Sequence, residues 1–229
     1  MTTLRVLSYN VRSLRDDDAA VGRVIRAARA DVVCIQEAPR FLRWRSKCAA
    51  LARRSGMVVV SGGRAAGANL VLSTLAVAVD ATHDIRYSRD AGLEQRGASI
   101  AVLRLAGSRF AVAGTHLDLV EAPRLRHVGE LHGRLQDLVP TEVPVIVIGD
   151  MNDVPGSPVW TALATRGADA FAERGQGDGF TFSATNAVRR IDGVFVDRRI
   201  GVVSAAALDN PDIRVASDHR PVLVELDLP

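Results

Sequence analysis

Cysteine is scarce in this chain: Cys34 and Cys48 are the two among 229 residues. That excludes a disulfide framework, and both are expected to be buried thiols, one in a strand and one in a helix. No apolar run approaches the ~18 residues that a membrane span needs, so no stable membrane insertion is expected. No basic-then-apolar leader stands before the first strand at Leu4, and the expected location is cytoplasmic. Gly/Ser-rich linkers, internal repeats and low-complexity tracts are also missing. With 48% hydrophobic residues there is material for a sizeable core, and a single domain over residues 1–229 is expected. The glycines of Gly62-Gly63-Arg64-Ala65-Ala66-Gly67-Ala68 form a turn without the spacing of a dinucleotide fingerprint.

Lysine is nearly absent as well. Of 29 basic residues only Lys47 is not arginine. Beside abundant Ala, Gly, Val and Asp, this is the bias of a GC-rich genome, so arginine content and a net charge of +3 say little about nucleic acid. Clustering says more. Arg40, Arg43, Arg45, Lys47, Arg53 and Arg54 crowd one segment, with Phe41, Leu42, Trp44, Ala49, Ala50 and Leu51 among them. That segment is either a solvated helix face or a contact for a phosphate backbone.

What is present is a set of greasy strands that stop on polar groups. Val145-Ile146-Val147-Ile148 reads as a strand buried on both faces, and it runs into Gly149-Asp150-Met151-Asn152. Segments beginning at Leu4, Asp31 and Phe110 end on Asn10, Glu37 and His116; Asp192 opens another strand, and Asp218-His219 precedes the last. Any one of these is most simply a strand or helix cap. Six together, all Asn, Asp, Glu or His, supply the oxygen ligands a hard cation prefers and two imidazoles for charge or proton work. In open α/β sheets, ligands gather at the carboxyl ends of strands.

Between these strands, a helix follows Asp16-Asp17-Asp18 with Val21, Val24, Ile25 and Ala28 on its buried stripe. The Arg-rich segment forms the next helix. Short strands are expected near 57–61 and 69–73, a hairpin near 100–105 and 110–114, a helix over 123–138 and another after Ser157-Pro158. The Leu125, Val128, Leu131, Leu135 and Leu138 spacing gives the 123–138 helix its apolar stripe. The stretches 82–90 and 173–182 read as loops. Such an order suggests two sheets face to face with helices outside.

The set Tyr9-Asn10-Val11, Ile35-Gln36-Glu37, Thr115-His116-Leu117, Gly149-Asp150-Met151-Asn152, Arg190-Ile191-Asp192 and Ser217-Asp218-His219-Arg220-Pro221 resembles the endonuclease/exonuclease/phosphatase superfamily. DNase I, exonuclease III, sphingomyelinases and inositol polyphosphate phosphatases belong to it, and the likeness runs from Leu4 to Leu226. It implies an α/β (α+β) fold: a four-layer α/β sandwich of two mostly antiparallel sheets flanked by helices, DNase I-like. It also implies Mg²⁺- or Mn²⁺-dependent cleavage of a phosphoester. By that resemblance Glu37 is the first metal ligand, with Asp218 and Asn10 completing or bordering the shell. Asp150 orients or deprotonates the attacking water, Asn152 holds a phosphate oxygen or that water, and His219 contacts the phosphate as an imidazolium held by Asp192. His116 is a second histidine of the DNase I-like branches, able to protonate the leaving oxygen or to add charge stabilisation, with Glu94 as its acidic partner or else a surface residue. Asn69 matches an Asn that approaches the phosphate, and Arg40 and Arg96 are substrate contacts. His83, His127 and His132 lie outside these motifs and read as structural or exposed.

The scaffold hosts many phosphoesters, so substrate is the weaker inference. The leading expectation is a nuclease acting on DNA or RNA. The alternatives are a phosphatase or phosphodiesterase for an inositol phosphate, lipid or other small phosphoester, and a catalytically inert binding member. No protein partner follows from the sequence.

Overall fold

Strand alternation lays out the architecture of the computed structural model, which describes residues 2–229. The first half of the chain runs β1 (Thr2–Asn10), α1 (Asp18–Ala28), β2 (Val32–Gln36), α2 (Trp44–Ser55), β3 (Val58–Gly63), β4 (Asn69–Ser73), β5 (Val77–Arg86), β6 (Gly97–Leu105) and β7 (Ser108–His116). The second half runs α3 (Glu121–Leu138), β8 (Val145–Asp150), α4 (Pro158–Ala164), β9 (Ala168–Asp169), α5 (Ala170–Arg174), β10 (Gly175–Gln176), β11 (Asp192–Val196), β12 (Gly201–Ala207), α6 (Pro211–Ala216) and β13 (Val222–Leu228).

Successive side chains of a strand face opposite ways, so a strand buried on both faces feeds two cores. In β1, Leu4 and Val6 meet Val32, Cys34, Phe110, Val112, Ile146 and Ile148 between the sheets. Leu7 and Tyr9 point outward beneath α1, α2 and α6, together with Val33 and Ile35. On the far side, Ile100, Val102, Ala111 and Val147 pack under α3 and α4. The result is helix, sheet, sheet, helix, with sheet orders β10-β12-β13-β1-β2-β4-β3 and β5-β6-β7-β8-β11-β9. Pairing is mostly antiparallel, with parallel contacts at β1–β2, β7–β8 and β10–β12. This is the four-layer sandwich that the sequence implies.

Local chemistry sets the ends of the helices. Asp17 caps α1 by accepting from the Ala19 and Ala20 amides, and Ser157 caps α4 by accepting from the Trp160 amide. Both cysteines are buried, as expected. Three details differ from the sequence reading. Helix α3 begins two residues early, at Glu121, and Leu125 faces solvent instead of the core. Residues Thr82–Arg86 belong to β5 rather than a loop; the strand lies at a sheet edge with most side chains exposed, so it carries no apolar signal. The stretch 173–182 holds the end of α5 and β10.

Registers then bring the polar strand ends together. Asn10 pairs with Gln36 across β1–β2, His116 with Asp150 across β7–β8, and Asp150 with Asp192 across β8–β11. Gly149 makes this approach possible. Its φ is +156°, and a Cβ there would sit 1.9 Å from the Thr115 carbonyl oxygen. Only glycine lets β8 close on β7 at that point.

Candidate active site

Asp150 is the hub. It is 1% exposed, and its carboxylate meets side chains from three other segments and a backbone amide of its own turn. Oδ2 accepts from Asn10 Nδ2 at 3.0 Å, and lies 3.4 Å from His116 Nε2 and 3.7 Å from His219 Nε2. Oδ1 accepts from the Asn152 amide at 2.9 Å. The turn that permits this bond holds Asn152 at φ +50°, a conformation that asparagine tolerates better than most residues. Arg124, buried in α3, braces the same turn by donating to the Asn152 carbonyl and pairing with Asp153 at 3.2 Å.

His219 Nδ1 lies 2.9 Å from Asp192 Oδ2, and its ring is 5.0 Å from that of Phe182. Burial alone would lower its pKa. The Asp192 and Asp150 carboxylates more than reverse this and raise it to about 10, so the ring is an imidazolium at neutral pH. Asp192 is itself held, its amide donating to Thr181 Oγ1 at 3.3 Å. The preceding Arg190 is pinned away from the cleft. It forms two 2.9 Å bonds with Asp169, and its guanidinium lies 4.8 Å and 5.0 Å from the Trp160 and Phe171 rings.

His116 has a different electrostatic setting. Its Nδ1 is 2.9 Å from Arg96 Nη1, and a guanidinium can only donate, so Nδ1 accepts and the ring proton resides on Nε2, facing Asp150. Asn152 Nδ2, 3.0 Å from that Nε2, donates to the Leu117 carbonyl instead. Burial lowers the His116 pKa to about 3; Asp150 opposes the fall and Arg96 adds to it. His116 is therefore a neutral N–H donor. A neutral N–H donor fits the charge-stabilising alternative that the resemblance gave it.

Glu37 sits at φ +52° on the loop after β2, with Oε1 accepting from Asn10 Nδ2 at 3.2 Å. Asn10 Oδ1 accepts the Arg12 amide at 3.0 Å, so the Asn10 amide group spans Glu37 and Asp150. Asp218, half-buried, has Oδ2 3.4 Å from Arg12 Nε. Glu37, Asp150, Asn152, Asp218, His116, His219 and Arg96 line one cleft of about 520 Å³.

Three predicted positions lie elsewhere. Glu94 is not hydrogen-bonded to His116: it pairs with Arg40 at 2.8 Å and Arg96 at 3.7 Å, and Arg96 meets the ring. Asn69 is fully buried, with Nδ2 donating to the Ala66 and Gly97 carbonyls, and it does not line the cleft. Arg40 lines the neighbouring hollow. His127 is structural, stacked 4.9 Å from Tyr87. The sequence reading passed over Arg12, Arg124, Phe182 and Arg189, all of them in or beside the cleft. Arg189-Arg190 next to Asp192 was a usable signal, and Arg124 was hidden in an amphipathic helix.

Two groups of donors suit a divalent ion. Asp150, Asp192 and His219 each offer a ligand atom within 4.8 Å of the others, a spacing a cation can use, but an ion there competes with the His219 proton. Glu37 and Asp218 face the cleft with carboxylate oxygens free of that competition, the donor type a hard cation selects.

Comparison with known proteins bears on this geometry. The Endonuclease/Exonuclease/phosphatase family matches residues 7–219. Among solved structures, the chain is similar to an endonuclease/exonuclease/phosphatase from Bacteroides vulgatus, at 22% identity over all of both chains with a TM-score of 0.82. It is similar to a mannosyl-6-phosphatase from Bacteroides thetaiotaomicron, at 18% identity over 97% of this chain and 99% of that one, TM-score 0.82. TDP2 from D. rerio, complexed with a single strand DNA product, is similar at 18% identity over 99% and 100% of the two chains, TM-score 0.78. At these identities the structural likenesses speak for the fold. No curated protein matches the sequence.

Proposed function

The chain belongs to the endonuclease/exonuclease/phosphatase family of phosphoester hydrolases, and from that premise we propose that it cleaves phosphodiester bonds of nucleic acid with Mg²⁺ or Mn²⁺. The observation that carries the reading is the placement of His219, its ring between Asp192 and Asp150 in the same cleft as Glu37 and Asp218.

A phosphodiester resists hydrolysis because its charge repels nucleophiles and its leaving alkoxide is poor, so a catalyst must neutralise, position and activate. Glu37 and Asp218 would hold the ion, with Asn10 orienting Glu37. Once bound, the ion supplies charge neutralisation and polarises a phosphate oxygen. His219 donates from Nε2 to a non-bridging oxygen, and its charge is maintained by Asp192. Asp150, fixed by Asn10 and the Asn152 amide, orients the attacking water and accepts its proton as the new P–O bond forms and the bond to the leaving oxygen breaks. His116, neutral and held by Arg96, adds an N–H donor to the developing charge. Arg189, exposed at the cleft rim, gives a counter-charge for a second phosphate. The DNA-bound TDP2 neighbour supports a nucleic-acid substrate, whereas the mannosyl-6-phosphatase neighbour favours a phosphatase acting on a small monoester.

A substrate panel separates the two readings. The wild-type chain is expected to hydrolyse bis(p-nitrophenyl) phosphate and single-stranded DNA in Mg²⁺, to stop in EDTA, and to lose at least about a thousandfold in kcat on Glu37→Gln or His219→Ala with far-UV circular dichroism unchanged. Phosphate release from sugar phosphates without diester cleavage would replace the nuclease reading with the phosphatase one. Undiminished turnover in either variant would refute both.

A further inference from the structure

Beyond the cleft, two further hollows continue in one direction. The first shares Glu37, Arg96, His116 and Leu119 with the catalytic cleft; the second shares Arg40, Phe41, Gly67, Ala68, Leu93 and Glu94 with the first and encloses about 750 Å³. Together they form a groove that leaves the site over the loop after β2 and ends beside β3 and β5.

The outer hollow is the cationic part, while the middle one sets Glu37, Glu94 and Asp118 beside Arg15, Arg40 and Arg96. Exposed arginines without a carboxylate partner among the described residues occur elsewhere too, Arg26, Arg53, Arg134 and Arg174 among them, but along the groove they gather on one surface. Along the groove, Arg15, Arg43, Arg64, Arg86 and Arg89 are exposed and have no acidic partner among the described residues. Glu94 is the one carboxylate in the outer hollow, and Arg40 and Arg96 occupy it. Apolar groups stand among these cations. Phe41 is 73% exposed and Leu42 83% exposed, both lining the outer hollow, and Leu119 is 72% exposed in the middle one.

Unpaired guanidinium groups spaced along a channel suit a linear polyanion, and an exposed ring beside them suits an unstacked base. A duplex keeps its base faces hidden, so Phe41 would have nothing to stack on. A membrane surface would need the apolar tips and cations on a convex face, whereas these line a hollow. We infer that this groove is a track for single-stranded nucleic acid, holding the segment on one side of the scissile phosphate, with Phe41 as a base platform and Arg15, Arg43, Arg64, Arg86 and Arg89 on successive phosphates. The inference rests on the phosphodiesterase reading above, and it adds that substrate affinity depends on length.

Five neutralised phosphates give single strands a log K against log salt slope of about −3.5. The test is fluorescence anisotropy of the full chain in EDTA with labelled oligothymidylates of two, six and twelve nucleotides, beside the same twelve-mer in duplex form. Affinity is expected to rise at least tenfold from the shortest to the longest single strand. Combining Arg43→Ala, Arg64→Ala and Arg89→Ala should cost at least tenfold on the single-stranded twelve-mer and bring the slope to about −1.4. Phe41→Ala should cost several-fold on single strands alone. Turnover of bis(p-nitrophenyl) phosphate, too short to reach beyond the cleft, should stay within twofold in all variants. Unchanged twelve-mer affinity in the triple variant would overturn the proposal, as would equal affinity for duplex. So would loss of binding to phosphatidylserine vesicles with oligonucleotide binding retained. If the wild type bound by length yet never cleaved the aryl diester, the track would stand and the hydrolase reading would fall.

Discussion

Replacing Asp192 with asparagine isolates the charge on His219. The side chains are nearly the same shape, so the 2.9 Å contact with Nδ1 can persist while the carboxylate charge disappears. In the wild type, two carboxylates outweigh burial and hold the ring's pKa near 10. Without Asp192, burial is opposed by Asp150 and Asp218 alone, so the pKa falls from about 10. Each unit by which it comes to lie below the assay pH costs about tenfold in any rate that needs the imidazolium, so the loss should grow as the pH rises. At pH 6 more of the rings stay charged than at pH 8, so the loss there should be the smaller one. The assay is kcat/KM for an aryl phosphodiester from pH 5 to 10.5 in saturating Mg²⁺, where the alkaline limb should move down from about 10. An equal loss at pH 6 and pH 8 would refute the reasoning, because Asp192 would then act through something other than that charge. Stability follows the same sign. A folded pKa above the unfolded one stabilises fully below pH 6.5, and that contribution disappears as pH rises through 10.

Two more predictions address neighbouring contacts. Arg96→Met should release the proton of His116 from Nε2, giving a mixture of tautomers in ¹⁵N spectra and about a tenfold lower kcat, partly recovered by Arg96→Lys; a single unchanged tautomer would show that another group sets it. Gly149→Ala should destabilise the fold by about 3 kcal/mol or more, since its Cβ meets the Thr115 carbonyl at 1.9 Å, and thermal melting should fall by roughly 6–12 °C. A melting temperature within 2 °C of wild type would mean that β7 and β8 separate easily there.

Much of the site could be read from the chain because its strands announce themselves. Val145-Ile146-Val147-Ile148 can only be a buried strand, and a buried strand that ends on Asp150 places that carboxylate at a sheet edge. His219 and Asp192 were readable as strand-end groups for a similar reason, each at a strand whose apolar pattern is unambiguous, while their pairing was what the family resemblance implied. Where the chain leaves regular structure, spacing loses its meaning. Glu94 and Arg96 stand two residues apart at the entry to β6, and nothing in their order says which one turns toward His116; packing chose the arginine. Asn69 shares the type and position of a phosphate contact, yet the carbonyls of Ala66 and Gly97 claim its amide. Strand β5 was invisible because an edge strand with exposed side chains gives the hydrophobic period little to act on. The groove beyond Glu37 mixes both cases: Arg40 and Arg43 come from the cluster visible in sequence, but Arg64, Arg86 and Arg89 join them only through the fold, while Arg54 turns away to Asp18 and Arg45 lies on Trp44.

The two arginines ahead of Asp192 divide two jobs between them. Arg190, wedged between Trp160 and Phe171 and locked to Asp169, is a rivet: its charge is spent inside the protein, and it anchors the start of β11 from the side opposite the chemistry. Arg189, pointing the other way, has no such tether and extends over the cleft. One alternation of the backbone thus turns two identical side chains into a fixed mount and a movable arm. Loosening the mount, with no atom altered in the cleft, would unseat Asp192 and degrade catalysis from a distance.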